Sequence, residues 1–79
     1  MHSTSPPATA TLRAEAFASW AAREGLATEG EQAARIGVAR TTLSRVRRGD
    51  VRPSGQFIAA VLTASGSKFE ELFEIAGAS

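Results

Sequence analysis

A chain of 79 residues holds one small domain and excludes a large two-lobed enzyme. With 43% hydrophobic and 22% charged residues the composition is globular, while the lack of cysteine and the single histidine, His2, exclude a disulfide framework and a thiolate or histidine-built zinc site. The net charge of +1 conceals a divided distribution: Arg35, Arg40, Arg45, Arg47, Arg48 and Arg52 are opposed only by Asp50, a local +5, and the rest of the chain carries −4.

Residues 1–10 mix Ser, Thr, Pro and Ala without periodicity, and Pro6-Pro7 forbids a helix there, so a disordered tail is expected. From Thr11 the spacing of Leu12, Ala16, Phe17, Trp20 and Ala21 predicts a first amphipathic helix ending near Gly25, with Trp20 on its core stripe. Thr28 and Glu31 have the spacing of a capping box and open a second helix, which Gly37 ends after Ile36.

Residues 40–48 then place Leu43 and Val46 on an inner stripe with Ile36 and Val38, leaving Arg40, Thr41, Ser44, Arg45 and Arg48 outside. Gly49 stops this third, basic helix, and residues 50–53 form a loop running into Ser54 as a cap. Phe57, Ile58, Val61 and Leu62 give a fourth helix ending at Ser65-Gly66. A capping-box spacing from Ser67 to Glu70 introduces a short fifth helix with Phe69, Leu72 and Phe73, and residues 76–79 are expected to be flexible. With no strand-like alternation, the expected class is all-α, a compact five-helix domain over residues 11–75 whose core includes Leu12, Phe17, Trp20, Ile36, Val38, Leu43, Val46, Phe57, Ile58, Val61 and Leu72. The longest apolar run, Phe57 to Leu62, is far short of the roughly 20 residues of a membrane span, and no secretory leader is visible, so a soluble cytoplasmic protein is expected.

A cationic patch on a weakly charged body is the footprint of a polyanion, or else a solvated arginine face. The parts around it favour the first reading. Ala33 is small where two helices would cross, Gly37 supplies a tight turn, and the flanking apolar residues fasten a short basic helix that fits the major groove of DNA.

The stretch Arg35-Ile36-Gly37-Val38-Ala39-Arg40-Thr41-Thr42-Leu43-Ser44-Arg45-Val46, with Gly49, Pro53-Ser54, Gly66 and Glu70-Glu71-Leu72-Phe73 beyond it, resembles the phage-repressor and Cro-type helix-turn-helix, the xenobiotic-response-element family. The resemblance implies a lambda-repressor-like fold of five helices, binding to double-stranded DNA and usually transcriptional repression, in a prokaryotic or phage-encoded, nucleoid-associated setting. It places base contacts on Arg40, Thr41, Ser44 and Arg45, and phosphate contacts on Thr42, Arg48 and Arg52. Arg47 is a further phosphate candidate unless it pairs with an acid on its own surface, and Thr28 with its neighbouring amides is the candidate at the second helix's start. Arginine recognises guanine O6 and N7 in a bidentate pair worth about 1–3 kcal/mol, which makes Arg40 and Arg45 the specificity candidates. Family members commonly dimerise through the last helix, so Phe69, Phe73 and Ile75 are candidates for a homodimer contact, and a palindromic operator follows.

The chain departs from the family at three places. Ala39 replaces a capping serine, Gln32 stands at a usually apolar position, and Glu29 stands where a phosphate-facing glutamine is common. Catalysis has little support: no histidine or cysteine lies in the folded region, and no catalytic residue, metal or cofactor is expected. The rival reading is an antitoxin or other protein-interaction module of a toxin-antitoxin, phage or mobile-element control system, working through the Phe69–Ile75 end. The arginine clustering ranks DNA first.

Overall fold

The computed structural model describes residues 9–76, where five helices carry most of the chain and a two-stranded ribbon joins its ends. The order is β1 (Thr9–Leu12), α1 (Ala14–Arg23), α2 (Glu29–Ile36), α3 (Arg40–Arg48), α4 (Gly55–Ser65), the one-turn α5 (Phe69–Leu72) and β2 (Phe73–Ala76). Most of the predicted tail, residues 1–8, and residues 77–79 lie outside the described residues.

The strands add a small sheet to the mostly helical domain and its five helices. β1 and β2 pair antiparallel, with Thr9 opposite Ala76, Ala10 opposite Ile75, Thr11 opposite Glu74 and Leu12 opposite Phe73. The first helix therefore begins at Ala14 rather than Thr11, Thr9 and Ala10 belong to the ribbon rather than a tail, and Phe73 is a strand residue rather than part of the last helix. Ala76, expected to be flexible, is the paired end of β2. The partners are more than 60 residues apart in sequence, and four-residue strands offer too few positions for a period of two to be seen.

Arg13, between β1 and α1, explains how the two ends are held. Its backbone N–H donates to the Leu72 carbonyl at 2.8 Å, and its Nε donates to the carbonyls of Glu70 at 3.1 Å and Phe73 at 3.2 Å. Its Nη1 also meets Glu74 Oε1 at 3.3 Å, an exposed pair worth little alone. The guanidinium thus joins a carbonyl of α5 to that of the first residue of β2. Arg13→Met, which keeps the apolar stem, is expected to cost about 1 kcal/mol, read as a lower urea midpoint by Trp20 fluorescence. An unchanged midpoint would mean that the clasp contributes nothing.

The core joins Phe17, Trp20 and Ala21 of α1, Ala33 and Ile36 of α2, Leu43 and Val46 of α3, Phe57 and Val61 of α4, and Leu72 with Phe73. Leu12, Val38 and Ile58 pack against it half-buried. The capping box of α2 is present: Thr28 Oγ1 accepts from the Glu31 N–H at 3.1 Å, and Glu31 Oε1 accepts from the Thr28 N–H at 3.0 Å. Gly37 adopts φ 83°, and a Cβ there would meet nothing within 4 Å, so glycine is favoured by the left-handed backbone and not by crowding. Ser54 caps α4 by accepting from the Phe57 N–H. The predicted Ser67–Glu70 box is displaced by one residue, with the Lys68 N–H donating to Glu71 Oε1 at 2.8 Å. Among the described residues no helix is long and apolar enough to cross a membrane.

Candidate nucleic-acid interface

α3 is a poor helix by propensity, with two threonines at its start and an N-cap, Ala39, that offers no side-chain acceptor. Packing holds it instead. Leu43 and Val46 are buried, and Gly49 closes the far end in the left-handed conformation with its N–H on the Val46 carbonyl. Arg45, Arg47 and Arg48 occupy the last turn, where cations are favoured by the exposed carbonyl ends. α2 supports α3 through the three-residue connection 37–39.

At 100° per residue the buried pair Leu43–Val46 fixes the helix rotation and sorts the other side chains into three groups. Thr41, Ser44, Arg45 and Arg48 lie on the face opposite the core. Arg40 and Arg47, seven residues apart, share one flank, and Thr42 lies on the other. The first flank faces α2: Arg47 Nη1 meets Glu29 Oε2 at 3.1 Å, and the Arg40 stem lies 3.7 Å from the position a Cβ on Gly30 would take. A Cβ at Gly30 would make ordinary van der Waals contact with Arg40, so the Arg40 stem lies beside the first turn of α2.

The predicted base contacts are brought onto one helix but are not equally free. Arg40, Thr41 and Arg45 are exposed, whereas Ser44 is half-buried and its hydroxyl accepts from Arg48 Nη1 at 3.0 Å. Among the predicted phosphate contacts, Thr42 is exposed on its flank, and Arg52 is exposed in the loop after α3. Thr28 is exposed at the start of α2 with its hydroxyl oxygen occupied as the cap. Arg48 pairs with Asp50, its Nη2 at 3.0 Å and its Nε at 3.1 Å from Oδ2. Arg35, at the end of α2, is held by Glu24 at 2.9 Å. Among the described residues, Arg40, Arg45 and Arg52 make no ion pair.

The candidate dimer residues separate. Phe73 is fully buried and is corrected to a core residue, because Phe57 and Phe69 enclose its ring. Phe69 is half-buried, while Ile75 is 52% exposed on β2. Gln32, the polar residue at a usually apolar position, is buried and uses its Nε2 to hold the Leu26 carbonyl at 3.1 Å, tying the α1–α2 connection to α2.

One residue near the patch, Asp50, has a role beyond those expected from the sequence. Asp50 is the partner of Arg48, signalled by their two-residue separation across the helix end. An open depression of about 420 Å³ lies beside this end of α3, lined by Thr11, Leu12, Val46, Arg47, Arg52 and Pro53 among others. Among the described residues no group of three acidic, histidine or cysteine side chains is placed to hold a metal ion. No family model, curated protein or solved structure significantly matches this chain.

Proposed function

We propose that this protein binds double-stranded DNA sequence-specifically through the outward face of α3 in the major groove, as a homodimeric helix-turn-helix regulator that represses transcription by covering a promoter. The observation that carries the reading is the division of α3: Leu43 and Val46 anchor one side in the core, while Thr41 and Arg45 project opposite them, and Arg45 has no ion-pair partner among the described residues. A short helix fastened by two residues and braced by α2 is a rigid mount for base-reading side chains. Arg45 and Thr41 read bases, Arg40 reaches from the α2 flank, and Arg52 and Thr42 contact phosphate. Exposed Ile75 supplies a contact for the second copy, placing two α3 helices about 34 Å apart on one face of the duplex.

Selection of bound duplexes from a random pool at about 150 mM salt tests this reading, because nonspecific phosphate binding is weakened there. The wild type is expected to enrich a palindrome. Arg45→Ala is expected to blur it at one position per half-site and to weaken binding by about 1–3 kcal/mol. No enrichment by the wild type would overturn sequence-specific recognition. It would favour the protein-interaction reading, for which the exposed Ile75 and half-buried Phe69 are the supporting surface.

A further inference from the structure

We propose that Glu29 is a positioning residue that lowers the sequence-independent affinity of α3 for DNA by withholding Arg47 from phosphates, an inference that rests on the DNA-binding reading above. The Glu29–Arg47 pair differs from the other three ion pairs among the described residues. Its side chains are 27% and 34% exposed, whereas those of the others range from 42% to 62%. It also joins two helices, α2 and α3, across 18 residues, whereas Arg48–Asp50 joins positions two residues apart at one helix end.

The direction of Arg47 follows from its place in α3. It lies four residues after buried Leu43, about 40° around the helix on the flank that faces α2, so its stem runs beside the inner stripe and its guanidinium reaches back to α2. Arg45 stands about 200° away around the helix. Glu29 is the first residue of α2, where the amide ends of the helix favour a carboxylate and steady it as an acceptor.

A cation on phosphate strengthens binding to every sequence alike, because the backbone carries no sequence information. Holding Arg47 in a neutral pair therefore subtracts from nonspecific attraction without touching the face that reads bases. The carboxylate at the margin of the patch opposes phosphate in the same sense, so Glu29 weakens binding to every duplex alike and leaves sequence recognition to the base-reading face.

The test compares wild type, Glu29→Gln, Glu29→Asp and Arg47→Met on a labelled duplex of scrambled sequence, with affinity followed from about 50 to 200 mM salt and folding checked by circular dichroism. Glu29→Gln is expected to tighten binding to the scrambled duplex by about two- to fivefold, the effect of one surface pair. It is also expected to steepen the log–log salt slope by about 0.9 per protomer. Arg47→Met is expected to leave the slope unchanged, and Glu29→Asp to restore wild-type behaviour. A merely structural role for Glu29 would weaken binding and would not steepen the slope. An unchanged slope in Glu29→Gln, or a slope flattened by about 0.9 per protomer in Arg47→Met, would overturn the inference while leaving DNA binding in place. A wild type that binds no duplex even at low salt would remove both.

Discussion

Phe73→Ala is expected to lower the unfolding free energy by about 3–5 kcal/mol and to leave the domain at the edge of folding at 25 °C. Phe73 is fully buried at the junction of α5 and β2. Its ring stacks on Phe69 at 5.4 Å and meets Phe57 edge-on at 6.5 Å, and its carbonyl accepts from Arg13. Truncation removes the aromatic contacts and leaves a cavity where three segments meet, too large to collapse without moving the ribbon. A domain of this size has only about 3–5 kcal/mol from a single core, so the loss is comparable with the whole stability. The measurement is a urea or thermal melt followed by Trp20, the single tryptophan, which is itself in the core. A midpoint drop of about 15 °C or more, or a chain already unfolded, is expected. Ile75→Ala, at a position 52% exposed, is the contrast, with a stability change within about 0.5 kcal/mol. A loss below about 1 kcal/mol for Phe73→Ala would return Phe73 to the surface and reopen it as a contact for a second copy.

That correction marks where the sequence was readable. Helical spacing of apolar residues located α1, α3 and α4 and placed Leu43 and Val46 inside α3, while α2 was marked by its two ends. The capping pair Thr28–Glu31 and the left-handed Gly37 were visible because their physics is local. The ribbon was not visible. Leu12 continues the apolar spacing of α1, and nothing near Thr9–Leu12 tells that Phe73–Ala76 will arrive beside it. At that point a long-range pairing overrides a local period.

The candidate site divides in the same way. Which residues of α3 point outward follows from the helix period, and the structure places Thr41 and Arg45 there as expected. Which arginines are unpaired depends on neighbours far along the chain. Glu29 reads in sequence as an obstacle to phosphate, and in three dimensions it is also the partner of Arg47. Ser44, expected to meet bases, already accepts from Arg48, so its use in recognition requires that hydrogen bond to be exchanged. A charge of +5 over residues 35–52 therefore overstates the attraction available to a polyanion, because Glu24 and Glu29, which hold Arg35 and Arg47, lie outside that segment.

The affinity of the wild type for its selected duplex is expected to fall about 10³- to 10⁴-fold between about 50 and 200 mM salt. Each cation brought against the duplex, in the groove or on a phosphate, neutralises backbone charge and contributes about −0.9 to the slope of log affinity against log salt. Arg40, Arg45 and Arg52 are unpaired among the described residues, which gives six cations in a dimer and a slope of about −5. Opening the exposed Arg48–Asp50 pair adds two more and takes the slope to about −7. Releasing Arg47 as well would bring it to about −9, and the less exposed Glu29–Arg47 pair argues against that value. The slope thus counts how many arginines leave their internal partners when DNA arrives, a quantity that one affinity does not contain. A slope between −5 and −7 fits α3 as the reading surface with Arg47 held back. A slope near zero would mean that no phosphate is neutralised, and the arginines of α3 would then be the solvated surface of a protein whose partner is not DNA.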